Sequence, residues 1–299
     1  MTRINIIGCG RAAGSLARLW GQAGSVHIGG VCNRSLHSSR KAVEALGAGT
    51  PLAVLDQFEA AEFWLIGTGD EQIAPTAVKI CKARTDLESS IVFHLCGRYG
   101  TDILAPLTDS GCQVAAVHPV RSLTHERISL AQFEGTAIVA EGNEATLDAL
   151  KTLFVSIGGV WLPVKNIDRG LYHAALSIIS NVTKGVTWKA QNWLEKAGIP
   201  HSMATSVAQK LLAITVEDIA RSGAIHSMTG PIVRGDTSTV EAHLKALERG
   251  HSADLDFYRV LARTVLELAV DRGDLDETTL KRFKFLVGSH SEDPNLGRG

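Results

Sequence analysis

His173, Ser177, Asn181, Lys184 and Trp188 succeed one another at intervals of four, four, three and four residues, the spacing of one face of a helix. Ser180 and Thr187 fall beside that line. An imidazole, a hydroxyl, an amide and an ammonium in one row can orient a polar reactant and exchange a proton with it. The rest of the segment is apolar (Leu171, Ala174, Ala175, Leu176, Ile178, Ile179, Val182, Val186), and a helix apolar over most of its circumference is expected to be buried. The polar row is therefore expected to wall a substrate crevice, with a partly wet seam between domains as the alternative. A further candidate, His118, ends the apolar run Val114-Ala115-Ala116-Val117 and is followed by Pro119, which cannot extend a strand ladder. Its ring can project from the strand end and hydrogen-bond a carbonyl or shuttle a proton, unless it only shapes a His-Pro turn. Arg234 sits in Thr229-Gly230-Pro231-Ile232-Val233-Arg234-Gly235-Asp236, a loop in which Asp236 or Thr237 can cap the next helix. It can clamp a substrate carboxylate with two hydrogen bonds, or else pair with Asp236 or meet a second subunit. His94 lies inside an apolar strand pattern and reads as a satisfied core histidine.

Chemistry of this kind needs a reagent, and the start of the chain is shaped to hold one. In Ile4-Asn5-Ile6-Ile7-Gly8-Cys9-Gly10-Arg11-Ala12-Ala13-Gly14 an apolar strand meets a glycine turn and then a helical pattern. Gly8 allows the tight turn, Gly10 leaves room for a pyrophosphate against the backbone, and small Ala13 lets the helix pack close to the strand. The free amides and positive end of that helix favour a phosphate. The second strand ends in Val31-Cys32-Asn33-Arg34-Ser35, where an acid would select a free ribose 2'-hydroxyl. No acid is present. Arg34 can fork onto a 2'-phosphate, with Asn33 and Ser35 donating, so NADP is expected over NAD. The alternative is that Arg34 is a solvated turn residue and Ser35 caps the next helix. Gly67-Thr68-Gly69-Asp70, at a third strand end, suits close backbone approach to the cofactor, with Thr68 near its nicotinamide half.

The elements that must position these residues alternate through the first half of the chain. Strands are expected at 3–7, 26–32, 62–67, 90–95, 112–117, 135–140 and 159–162, with helices at 11–23, 37–46, 72–84 and 144–156. That order implies an α/β fold, a doubly wound and mainly parallel sheet with ligands beyond the carboxyl ends of its strands. Past Pro163 only helical patterns remain, at 165–198, 201–222, 238–250, 254–271 and 276–286, so we expect a dinucleotide-binding domain over 1–163 and an all-helical C-terminal domain over 164–299. Residues from 288 onward lack apolar periodicity and read as a mobile tail. The composition, 45% hydrophobic and 20% charged at a net charge of -1, is that of a soluble globular protein and argues against a nucleic-acid binder. No apolar run approaches a membrane span, no signal segment is expected at a start that opens directly on the first strand, and five scattered cysteines show no metal spacing. A cytoplasmic protein with reduced thiols and no metal is expected.

The start Ile7-Gly8-Cys9-Gly10-Arg11, the segment His118-Pro119-Val120-Arg121-Ser122, Tyr172-His173-Ala174-Ala175 with Ser180-Asn181, and Thr229–Asp236 occur in that order. Together they resemble the Rossmann-like proteins with a C-terminal helical domain of unknown function, relatives of the 6-phosphogluconate dehydrogenase, hydroxyisobutyrate dehydrogenase, ketopantoate reductase and pyrroline-5-carboxylate reductase group. The resemblance implies an NADP-dependent oxidoreductase whose helical domain packs on a second subunit, with the active site between the two domains. Asn181 resembles a catalytic asparagine of the hydroxyacid dehydrogenases. Their lysine one turn earlier is Ser177 here, and Lys184 comes after Asn181 instead, so Lys184, His173 and His118 all stay candidates for moving the proton. The substrate expected is a small carbonyl compound, 2-oxo or hydroxy acid or imine; an NADP-binding sensor without turnover is the alternative. Leu211, Leu212, Ile214 and Ile219, with Leu261, Val265, Leu266, Leu268 and Ala269, read as apolar surplus for a homodimer.

Overall fold

A computed structural model of the chain describes residues 2–84, 86–88, 90–123, 127–250 and 252–288; the expected tail lies, past 288, outside them. Its elements in order are β1 (Arg3–Ile7), α1 (Arg11–Ala23), β2 (His27–Cys32), α2 (Leu36–Leu46), β3 (Thr50–Leu52), β4 (Phe63–Ile66), α3 (Ile73–Ala83), β5 (Ile91–His94), α4 (Ala105–Asp109), β6 (Gln113–Pro119), α5 (Leu130–Phe133), β7 (Ala137–Gly142), α6 (Glu144–Val155) and β8 (Val160–Pro163). The helices α7 (Arg169–Ser177), α8 (Thr183–Lys196), α9 (His201–Ser227), α10 (Thr237–Gly250), α11 (Ser252–Arg272) and α12 (Glu277–Val287) complete the chain. By backbone contacts it divides into two compact units, 1–185 and 186–299, with the division inside α8.

The eight strands form one sheet in the order β3-β2-β1-β4-β5-β6-β7-β8. All neighbours are parallel except β6 and β7. Strands β4 and β5 are buried along their whole length, as apolar runs in a sheet covered on both faces must be. Alternate side chains serve the two faces. Ile4, Ile6, Leu65 and Phe93 pack with Leu16, Trp20, Leu150 and Phe154 of α1 and α6, while Ile7, Trp64, Ile66 and Val92 pack with Ile73, Ala77 and Ile80 of α3. Trp20 Nε1 donates to Leu153 O at 2.9 Å, which lets an indole sit fully inside without losing a hydrogen bond. Strand order reverses between β1, which continues to β2 and β3, and β4, which leads to the rest; the crevice at their carboxyl ends is where such sheets bind ligands. Three short elements go beyond the sequence expectation. They are β3, a three-residue edge strand containing Pro51, and the helical turns α4 and α5, all too brief to show a period.

Two expectations for the helices change. The first long helix is not buried: Leu171 is 69%, Ile178 60%, Ile179 71% and Val182 47% exposed, because its apolar circumference is left uncovered. Nor is it regular. Asp168 Oδ1 accepts from Leu171 N to start α7, and residues Ile178–Val182 form a π-turn before α8 begins. In the second unit, Val240, Leu244, Ala262, Leu266, Ala269, Phe283 and Val287 make a core with Ile232. Leu266 and Ala269 are thus not surplus, since the 3.6-residue period of α11 turns them toward α10 and α12. The surplus lies on α9, where Leu211, Ile214 and Ile219 are 62%, 54% and 44% exposed. Among the described residues no helix is long and apolar enough to cross a membrane.

Candidate functional site

The turn between β1 and α1 is held from below by two neighbouring strand ends. Gly8 has φ +83°, and a Cβ there would stand 2.6 Å from Thr68 N, so only glycine fits. Gly67 faces the same constraint from the other side, since its Cβ would collide with Ala13 Cβ and Gly8 O. This explains why Ala13 can stand where a third glycine is usual: the missing side chain is supplied by Gly67 at the end of β4. Gly10, the residue before α1, has no protein atom closer than 3.7 Å to a would-be Cβ. It offers no side-chain cap, and the first turn holds no acid. The leading amides around Arg11, Ala12 and Ala13 therefore point at a space suited to an anion. Beside it, Thr68 Oγ1 is buried with no hydrogen-bond partner, a state that a bound group would relieve. Together these residues fit a pyrophosphate-containing cofactor.

At the end of β2, Asn33 is committed to the fold. Its Oδ1 accepts from Cys9 N at 2.6 Å and its Nδ2 donates to Ser38 O at 3.0 Å, tying the glycine turn to the start of α2. Its oxygen and one of its two amide hydrogens thus position the loop, and the second amide hydrogen has no bond among the described residues. Ser35 caps α2 in a reciprocal box with Ser38. Arg34 is exposed at the same turn and makes no ion pair among the described residues. The thiols of Cys9 and Cys96, close to the strand ends, are pushed up to about 11 by burial, so neither is a thiolate at neutral pH.

His118, near the end of β6, is the centre of a second group. Its Nδ1 lies 2.8 Å from Tyr172 Oη on α7, and the rings meet edge to face. The imidazole fits against Gly97, where a Cβ would come within 2.8 Å of it. Burial, then the neighbouring His173 and Arg169, lower its pKa to about 4, against a small opposing effect of Asp70. The ring is neutral at pH 7. Arg169 lies over the Tyr172 ring at 5.9 Å and is anchored by Glu141 Oε2, 3.0 Å from Nε and 2.5 Å from Nη2. Nη1 of Arg169 is buried without a partner. His94 is, as expected, a core residue: Nδ1 accepts from Cys96 N and Nε2 contacts Gly100 O at 3.0 Å.

Of the helical row, His173 is exposed and close enough to His118 to affect its charge. Ser177 is half-buried, and Asn181 and Lys184 are exposed with no hydrogen bond or ion pair among the described residues. The row is not straight. The π-turn adds one residue, which rotates the later part of the helix by about 100°, so Lys184 leaves the line of His173 and Ser177. Ser180, in the π-turn, meets Ser122 Oγ at 3.3 Å, joining the loop after β6 to the helix. Arg234 belongs to the second unit, exposed on the turn 231–235. Asp236 does not pair with it; the carboxylate caps α10 through Thr239 N and takes the hydroxyls of Ser238 and Thr239. Residue spacing alone misses Tyr172, Arg169 and Glu141. A tyrosine within apolar helical spacing reads as core, and its one signal is its place directly before His173.

Fold and site define a Rossmann-type α/β unit with an uncapped strand-to-helix turn, continued by helices. Residues 1–119 match the model of a Rossmann-like domain and residues 136–265 that of a domain of unknown function, DUF2520; the chain joins a Rossmann-like domain to a DUF2520 domain. Solved structures of similar fold include a protein of Thermotoga maritima, 20% identical with a TM-score of 0.70 over 90% of this chain and 99% of that one. A protein of Bacteroides fragilis assigned as an NADP oxidoreductase is 19% identical with a TM-score of 0.69, covering 89% of this chain and 98% of its own. A pyrroline carboxylate reductase of Plasmodium falciparum, solved with NADP bound, is 12% identical with a TM-score of 0.59 over 94% and 98% of the two chains. At these identities the likeness is one of fold. No curated protein matches the sequence.

Proposed function

We propose that this protein is an NADP-dependent oxidoreductase that transfers a hydride between the nicotinamide and a small carbonyl, 2-oxo or hydroxy acid, or imine. One observation carries the reading: the uncapped start of α1, with the unpartnered Thr68 hydroxyl beside it, lies at the same sheet edge as a neutral histidine at the end of β6. The bound cofactor supplies the hydride; the protein orients the reactant and moves a proton. Gly8, Cys9, Gly10, Arg11, Ala12 and Ala13 hold the pyrophosphate, Gly67 and Thr68 the nicotinamide half, and Arg34 with Ser35 the 2'-phosphate, while Asn33 fixes that loop. Asn181 orients the reacting oxygen or nitrogen, His118 or Lys184 exchanges its proton, and His173 and Ser177 hold the rest of the substrate. Two proteins of similar fold, an assigned NADP oxidoreductase and an NADP-bound pyrroline carboxylate reductase, support the reading. A second copy of the chain covering the exposed apolar face of α9 is part of the proposal.

The test tracks NADPH absorbance while the protein is offered a panel of 2-oxo acids and cyclic imines. Oxidation with any of them supports the reading. Tight NADPH binding with no turnover across the panel would mark a sensor instead.

A further inference from the structure

Resting on that reading, we propose that Tyr172 and His118 form a proton relay that feeds the reacting oxygen or nitrogen of the substrate, with Arg169 positioned to stabilise the phenolate left behind. The geometry is already assembled. Tyr172 Oη makes one hydrogen bond among the described residues, to His118 Nδ1 at 2.8 Å. A phenol is a better donor than acceptor, so the proton sits on oxygen and Nδ1 accepts it. The neutral imidazole then carries its own hydrogen on Nε2. That nitrogen has no protein partner among the described residues and is not among the buried unsatisfied atoms, so it stays open at the strand ends, where the substrate is proposed to lie.

The proton balance closes without any further reagent. As hydride reaches the carbonyl or imine carbon, the oxygen or nitrogen takes the Nε2 proton and Nδ1 takes the Tyr172 proton. Solvent then returns a proton to Nε2 while Nδ1 hands its own back to the phenolate, which restores the starting tautomer. Its neutrality is what makes a relay necessary, because a charged imidazolium could give up a proton unaided, whereas a neutral ring that loses one becomes an unsupported anion. The charged and titratable groups facing the pair are His173, Arg169, Asp70 and His94, and the guanidinium over the Tyr172 ring is held there by Glu141. Tyr172 acts through His118 and is a positioning residue; His118 is the one that touches substrate.

Two measurements test this on the full-length protein. Nitrogen NMR of His118 at neutral pH should show a neutral ring with the hydrogen on Nε2 and a bare Nδ1, with no substrate needed. A ring protonated on Nδ1, or charged, overturns the relay. In the second, Tyr172→Phe should keep NADPH affinity and melting temperature while kcat falls on the order of 10²-fold, and its residual rate should climb as pH drops toward 4, where imidazolium forms. Wild-type turnover with Tyr172→Phe unimpaired, or impaired equally at every pH, overturns the relay and leaves the oxidoreductase reading standing. No wild-type turnover with any substrate overturns both.

Discussion

His118 carries a stability consequence as well as a chemical one. Its ordinary pKa of 6.5 falls to about 4 in the fold, so between those values the unfolded chain binds a proton that the folded one refuses. Stability is therefore full above about pH 6.5 and declines as pH falls toward 4, by on the order of 3 kcal/mol for this group. Buried His94, whose pKa is also lowered by burial, adds a loss of the same sign. Thermal melts across that range should show the decline in wild type and a shallower one in His118→Gln; parallel curves would clear His118 of any part in it. At the end of β2, Arg34 is the residue proposed to set cofactor choice. Arg34→Asp replaces a charge-assisted contact worth about 1.5–3 kcal/mol with repulsion, so the NADPH dissociation constant should rise about tenfold or more while NADH binding changes little. Calorimetric titration with both cofactors reads this, and equal losses would count against it. Although Pro119 does not stop the ladder as expected, since it pairs with Ile138 and Val120 N still donates to Ala137 O, His118 is legible in the sequence as the polar residue closing an apolar run. Tyr172 is not, since its partner lies 54 residues away in sequence and only tertiary structure brings them together.

Among the elements, the junction of β1, β4 and α1 has little slack. Gly67→Ala drives a methyl into Ala13 Cβ and Gly8 O, an overpacking expected to cost about 1–3 kcal/mol. It should lower the melting temperature and weaken NADPH binding together, because the displaced segment is the phosphate turn. Adding Ala13→Gly should restore only part of the loss, the clash with Gly8 O remaining. Gly69→Ala, where a Cβ meets nothing within 4 Å, is the control; a Gly67→Ala protein as stable as that control would contradict the packing. The glycine turn, the first helix and most strands can be read from the sequence, as their signals are local: turn glycines, a 3.6-residue period, apolar runs. The compensation of Ala13 by Gly67 cannot, because the two are joined only by strand pairing. Nor can the π-turn at Ile178–Val182, which depends on which carbonyl each amide chooses and leaves no mark on residue spacing. A uniform helix would align Lys184 with His173, and the inserted residue separates them.

For the whole molecule, the question is what covers the apolar helices. Met203, Val207, Leu211 and Ile214 share one side of α9 by helical spacing, with Val216 and Ile219 on the other, and all six are between 44% and 62% exposed; contiguous exposed apolar side chains of this kind mark a surface for a partner. Light scattering should find a dimer at micromolar concentration, and Leu211→Glu should give a monomer, since a charge buried at such an interface lacks a partner. A monomeric wild type would require another cover for α9. The sequence correctly signals surplus apolar surface but spreads part of it onto α11, whose Leu266 and Ala269 the second unit's own core absorbs; a helical period shows that a face is apolar without showing what lies against it. Hydride transfer itself is tested most directly with NADPH deuterated at the transferable position, using whichever oxo acid or imine the panel shows to react. The expected product carries the deuterium on the carbon that was reduced, with label in the product matching cofactor consumed. Product without label, or label lost to water while cofactor is consumed, would contradict hydride transfer.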